Sequence, residues 1–170
     1  MSKAFTRESD EPEELPVLPP VSASLPPGVK NYITPDGARR SREELDRLIQ
    51  SERPRLAAEA ETSGDRRQLL ALDQRIAHLH QALQSAEVVP PPSNPEDKAR
   101  FGATVTVRDE TGQLSRYRIV GVDEADPDRD WVSWRSPIAK ALLNARVGQK
   151  VRLRVPDGEK VLEILSVGYE

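Results

Sequence analysis

Apolar positions follow three regimes along the chain. Up to residue 30 they have no period, from 34 to 86 they recur every three or four residues, and from about 103 to 167 they alternate with polar ones in short runs. The middle regime predicts helices. Thr34 is suited to cap the first, Pro35 to its first position and Asp36 to its positive first turn. Leu45, Leu48, Ile49, Leu56 and Ala60 then form an apolar stripe, and Pro54 is expected to kink or divide the helix. The pattern breaks at Glu61-Thr62-Ser63-Gly64-Asp65, where glycine suits a left-handed C-cap. A second stripe follows at Leu69, Leu72, Ile76, Leu79, Leu83 and Ala86, a heptad seam. Two helices joined by so short a turn lie antiparallel, which makes the middle of the chain a helical hairpin.

Pro90-Pro91-Pro92-Ser93-Asn94-Pro95 ends that regime. Beyond it, Ala103–Val107 and Tyr117–Val120 flank the turn formers Glu110-Thr111-Gly112 and predict a β-hairpin. A strand over Trp131–Trp134, a short helix over Ser136–Leu143, and a strand pair on either side of Pro156-Asp157-Gly158 complete a small antiparallel domain. The fold class expected is α+β: a disordered tail over residues 1–30, a helical hairpin over 31–88, a linker over 89–99, and a sheet domain with one short helix over 100–170.

Composition narrows the chemistry. The chain has no cysteine, which excludes a disulfide framework and a thiolate site, and its two histidines, His78 and His80, are too few for a histidine-built metal centre. A net charge of −3 argues against direct nucleic-acid binding and for a protein partner. Neither a membrane-length apolar run nor a signal-peptide pattern is present, so a cytoplasmic protein is expected. No triad, glycine-rich phosphate loop or ligand cluster stands out, and an autonomous enzyme is not expected. A thin hairpin attached to a compact domain suits a probe that enters a channel.

Several stretches resemble the Gre factors (GreA/GreB), bacterial transcript cleavage factors of RNA polymerase. They are Tyr32-Ile33-Thr34-Pro35-Asp36-Gly37, Arg42-Glu43-Glu44-Leu45, Glu52-Arg53-Pro54, Phe101–Val107, Tyr117–Gly121, Asp123–Asp126 and Ser136–Leu142, in family order over about residues 31–170. The resemblance implies a coiled-coil arm that reaches into the polymerase secondary channel and an FKBP-like C-terminal domain that docks at the channel mouth. It implies docking roles for Asp123, Glu124, Ser136, Pro137, Ile138 and Ala139. Pro137 and Ile138 suit a core-shaping role equally well.

In the family the arm's tip carries an aspartate and a glutamate that help to hold a second magnesium ion in the polymerase active site. Here the tip reads Gly64-Asp65-Arg66-Arg67-Gln68. Asp65 matches the family aspartate, while Gln68 stands in place of the glutamate and brings no charge to a dication. Compared with the family the arm is also short by about a dozen residues, which costs it roughly 10 Å of reach. The expectation is a monomeric elongation regulator with no cofactor of its own that meets nucleic acid only through the transcription complex. Magnesium would enter only as an ion shared with a cleaving polymerase. Two alternatives stay open: an active cleavage factor in which Glu59 or Glu61 supports Asp65, and a dimeric interaction module whose heptad seam pairs between chains.

Overall fold

A computed structural model of the chain describes residues 25–170 except Glu96. Most of the expected tail lies outside the described residues. Residues 25–30 do not behave as a disordered tail: they make a turn closed by Val29 N–H to Pro26 O (3.1 Å), and Lys30 pairs with Glu87 at 2.9 Å.

Strand β1 (Asn31–Ile33) leads into α1 (Pro35–Arg47), capped by Thr34, whose hydroxyl accepts from Gly37 N–H at 2.9 Å. A π-helical turn over Leu48–Glu52 separates α1 from α2 (Arg53–Ser63). Proline explains it. Pro54 has no N–H to give, and its ring would clash with the carbonyl four residues back; a wider turn there removes the conflict. The turn also resets the apolar face. In an uninterrupted α-helix Leu56 would sit about 80° past Leu48, but absorbing one extra residue brings the two within about 20° of each other. Leu45, Leu48, Leu56 and Ala60 are accordingly buried. Ile49, expected in the stripe, is turned outward and is 40% exposed.

Gly64 (φ 77°) caps α2 in the left-handed conformation, and α3 (Arg67–Ser85) runs back along α1 and α2. Leu45, Leu48 and Leu79 form the hairpin's core, with Leu72, Ile76 and Leu83 packed around them. Arg75–Glu44 (2.8 Å) and Arg53–Asp73 (2.7 Å) cross between the helices. Being exposed, each adds at most about 1 kcal/mol, so they fix register more than stability. The seam stops at Leu83. Ala86, expected to belong to it, is extended and begins β2 (Ala86–Val88), which pairs in parallel with β1. Asn31 ends the helix there, its Nδ2 donating to Ala82 O and Ser85 Oγ at 3.1 Å each.

Five strands form the second layer in the order β5-β4-β3-β7-β6: β3 (Ala103–Asp109), β4 (Leu114–Val120), β5 (Trp131–Ser133), β6 (Lys150–Val155) and β7 (Gly158–Tyr169). The sheet is not wholly antiparallel as expected. β5 pairs in parallel with the last three residues of β4, because two single 3₁₀ turns (Val122–Glu124 and Pro127–Arg129) carry the chain back to Arg118, whose N–H bonds Asp130 O. Helix α4 (Pro137–Leu142) covers one face. Val105, Val107, Ile119, Leu142 and Ile164 are fully buried between helix and sheet; burying a side chain of this size is worth about 1.5–3 kcal/mol. The expected linker ends early. Ala99 lies wholly inside this core, its N–H and carbonyl bonded to Ala145 O and Asn144 N–H. Among the described residues no helix is long and apolar enough to cross a membrane.

Candidate functional site

The arm's tip is closed by short-range hydrogen bonds. Thr62 and Ser63 hydroxyls turn back onto Ala58 O and Glu59 O, Gly64 N–H bonds Ala60 O, and Asp65 N–H reaches Ser63 Oγ at 3.2 Å. The carboxylate of Asp65 is already engaged. Its Oδ1 accepts from Arg67 N–H at 3.0 Å, and its Oδ2 pairs with Arg67 Nη2 at 3.0 Å. Arg67 holds the Asp65 carboxyl below the usual aspartate range, through its guanidinium first and its backbone N–H second. Gln68 and Arg66 are exposed beside it. Glu59 is drawn the other way, into a 2.8 Å pair with Arg55, and Asp65, Glu59 and Glu61 do not gather into a metal-binding group. These residues do not fit a magnesium ion: one carboxylate is neutralised by its neighbour and no second stands beside it.

At the opposite end of the arm, Glu124 forms the contact that joins arm to sheet domain. Its side chain is 4% exposed. It accepts hydrogen bonds from Thr34 N–H and Gly121 N–H at 2.9 Å each and from the Thr34 hydroxyl, with Arg40 Nη2 at 3.6 Å. One carboxylate thus completes the cap of α1 from across the domain boundary. Two glycines make room. A Cβ on Gly37 would stand 1.9 Å from Glu124 Oε1, and one on Gly121 would stand 2.4 Å from Tyr32 O. Asp123 faces the arm as well, with Oδ1 3.2 Å from His78 Nε2 on α3, and the Tyr32 ring meets Trp134 edge-on at 5.3 Å.

The expected docking residues therefore divide. Because β4 and β5 are parallel, the segments that follow them, 121–124 and 134–139, leave the sheet at the same end, tied by Trp134 N–H to Val120 O at 2.9 Å. Pro137 is exposed there, and Asp123 is partly so at its side chain. Glu124 is not available for docking, since burial and its donors consume both oxygens. Ala139 is fully buried in the sheet domain's core and Ile138 packs against it, so Ala139 cannot touch a partner. Ser136 spends its hydroxyl capping α4, accepting from Ala139 N–H at 3.2 Å.

Sequence reasoning missed the latch made by Glu124. A signal was present in Gly37, since glycine inside a helix costs about 1 kcal/mol relative to alanine and calls for a packing reason.

Residues 94–169 match the family model described as "Transcription elongation factor, GreA/GreB, C-term". The chain is similar to the transcription elongation factor GreB of Neisseria meningitidis serogroup B, with 38% identity covering 82% of this chain and 94% of that one. It is similar also to the transcription elongation factor GreA of Alkalilimnicola ehrlichii, with 40% identity covering 81% and 96%. The Neisseria match is 154 positions long, yet 82% of 170 residues is about 139, so roughly 15 residues of the relative have no counterpart here. The structure of a GreA/GreB factor from Nitrosomonas europaea overlaps at a TM-score of 0.41 with 24% identity, covering 82% of this chain and all of that one.

Proposed function

Since the chain belongs to the GreA/GreB family of transcription elongation factors, we propose that it binds RNA polymerase through its FKBP-like sheet domain, places its arm in the secondary channel, and modulates elongation with little or no stimulation of transcript cleavage. The observation that carries this reading is the tip. Asp65 is paired with Arg67, and its neighbour Gln68 is neutral. Such a tip occupies space without delivering the two carboxylates that a hydrolytic metal needs. The protein acts as an accessory to the polymerase and carries no cofactor of its own. It works in the cytoplasm, where the polymerase is.

A monomer is favoured because the heptad seam is spent within the chain: Leu79 packs with Leu45 and Leu48 of the same hairpin. Docking falls to the exposed end of the sheet around Pro137, with Asp123 oriented by His78. Glu124 positions the arm relative to that surface. The arm is a lever: α3 alone spans about 28 Å, so a tilt of roughly 5° at its base moves the far end by more than 2 Å.

The test is equilibrium binding of the full chain to RNA polymerase, followed by fluorescence anisotropy. Pro137→Glu keeps a residue suited to the first turn of a helix. It should weaken binding about tenfold or more if the site is central to the interface. Unchanged affinity would remove this end of the sheet from the interface.

A further inference from the structure

A second polar site lies on the β3–β4–β5 side of the sheet domain. A cavity of about 160 Å³ is lined by Arg116, Arg118, Arg129, Thr104 and Trp131. Its deepest polar groups are unspent. Thr104 is 8% exposed, yet its hydroxyl has no hydrogen-bond partner, and Nε of Arg118, whose side chain is 11% exposed, has none either. Three guanidinium groups crowd one indole, with Arg40, Arg118 and Arg129 at 4.5, 5.0 and 5.1 Å from the Trp131 ring centroid. Arg40 is offset by Asp36 at 2.7 Å and Arg129 by Asp126, which leaves Arg118, with Glu170 at 3.9 Å, the most loosely compensated of the three.

The cavity shows what it accepts. The Glu170 carboxylate sits at its mouth, bonded to Arg116 and 3.9 Å from Arg118 Nη1, while Asp126 pairs with Arg129 at 3.3 Å and Asp130 lines the rim. Glu170 reaches the arginines and leaves the Thr104 hydroxyl and Arg118 Nε unpaired. A tetrahedral oxyanion carries more oxygens than a carboxylate and suits both forked guanidinium groups and a hydroxyl donor. The volume is below the roughly 300 Å³ at which pockets for whole small molecules begin, so only the anionic group itself would enter.

We propose that this cavity is a phosphate-binding site, taking inorganic phosphate or pyrophosphate or the phosphate end of a nucleotide, with the Glu170 carboxylate as the resident anion that the ligand displaces. The site uses none of the residues expected to dock, although Arg129 and Trp131 also line a pocket with Asp123.

The probe is pyrophosphate, titrated into the full chain at constant ionic strength and followed by calorimetry and tryptophan fluorescence. Saturable binding is expected. Glu170→Gln should tighten it about fivefold by removing a competing charge. The double variant Arg116→Gln/Arg129→Gln changes two exposed side chains, so folding is retained, and should weaken binding about tenfold or more. A nucleoside triphosphate binding as tightly as pyrophosphate identifies the phosphate alone as the ligand, and tighter binding identifies a nucleotide; both support the site. The proposal is overturned if neither the wild type nor Glu170→Gln binds saturably, if the arginine pair makes no difference, or if free glutamate binds as tightly as pyrophosphate, which would make it a carboxylate site for a protein partner.

Discussion

Glu124→Ala removes the acceptor shared by three donors that water reaches poorly. The Thr34 N–H, the Thr34 hydroxyl and the Gly121 N–H would lose their partner, and Arg40 would lose a nearby anion. Hydrogen bonds to a charged acceptor are worth about 1.5–3 kcal/mol each, and removing one side of a buried ionic contact costs about 3–5 kcal/mol. Some water will enter the vacated space, so about 3–5 kcal/mol is the expected loss rather than the full sum. For a chain of this size that is a fall in melting temperature of roughly 6–20 °C. Glu124→Gln keeps the volume but turns an amide NH₂ toward backbone N–H donors, and about half the loss is expected. Circular dichroism melts supply the values. A double cycle with Thr34→Val should show coupling above about 1 kcal/mol, because the two side chains bond directly. A loss below about 1 kcal/mol, or simple additivity, would refute the latch.

Gly37→Ala should lower stability, although alanine in place of a helical glycine ordinarily adds about 1 kcal/mol, since its Cβ would strike the Glu124 carboxylate; thermal melts read the sign. Leu79→Ala should cost about 2–5 kcal/mol by opening the hairpin core, and loss of helical ellipticity before the sheet domain melts would locate the damage in the arm. Arg67→Ala frees the Asp65 carboxylate. Because Arg67 lowers the Asp65 pKa, its removal should move the titration upward, toward the ordinary aspartate value, as followed by carbon NMR of the carboxyl; an unmoved titration would show that the pair does not persist in solution.

Much of this architecture was legible in the order of residues, and what was not has identifiable causes. The cap at Thr34, the left-handed Gly64, the seam from Leu72 to Leu83 and the turn at Pro156–Gly158 follow local rules, and each stands where those rules put it. Ile49 broke its stripe because a π-helical turn shifted the helical phase, which a fixed period of 3.6 cannot register. Ala86 left the helix because Asn31, 51 residues before Ala82 in sequence, claims the Ala82 carbonyl and the Ser85 hydroxyl. The parallel β4–β5 pair depends on how two 3₁₀ turns redirect the chain, and no periodicity encodes that. At the site, the exchange of glutamate for Gln68 was plain, whereas the role of Glu124 depended on a contact across 90 residues. The family resemblance pointed to a docking role for it, and only three converging donors explain why a carboxylate is stable where it is.

The central claim is that the arm enters the polymerase without promoting cleavage, and stalled elongation complexes with end-labelled RNA test it most directly. Adding the protein should leave the RNA at its starting length beyond the polymerase's own slow hydrolysis, and should slow shortening by an active family member present in the same tube, through competition for one docking site. Prompt shortening that disappears in Asp65→Ala would contradict the account and make this tip a working catalyst's partner.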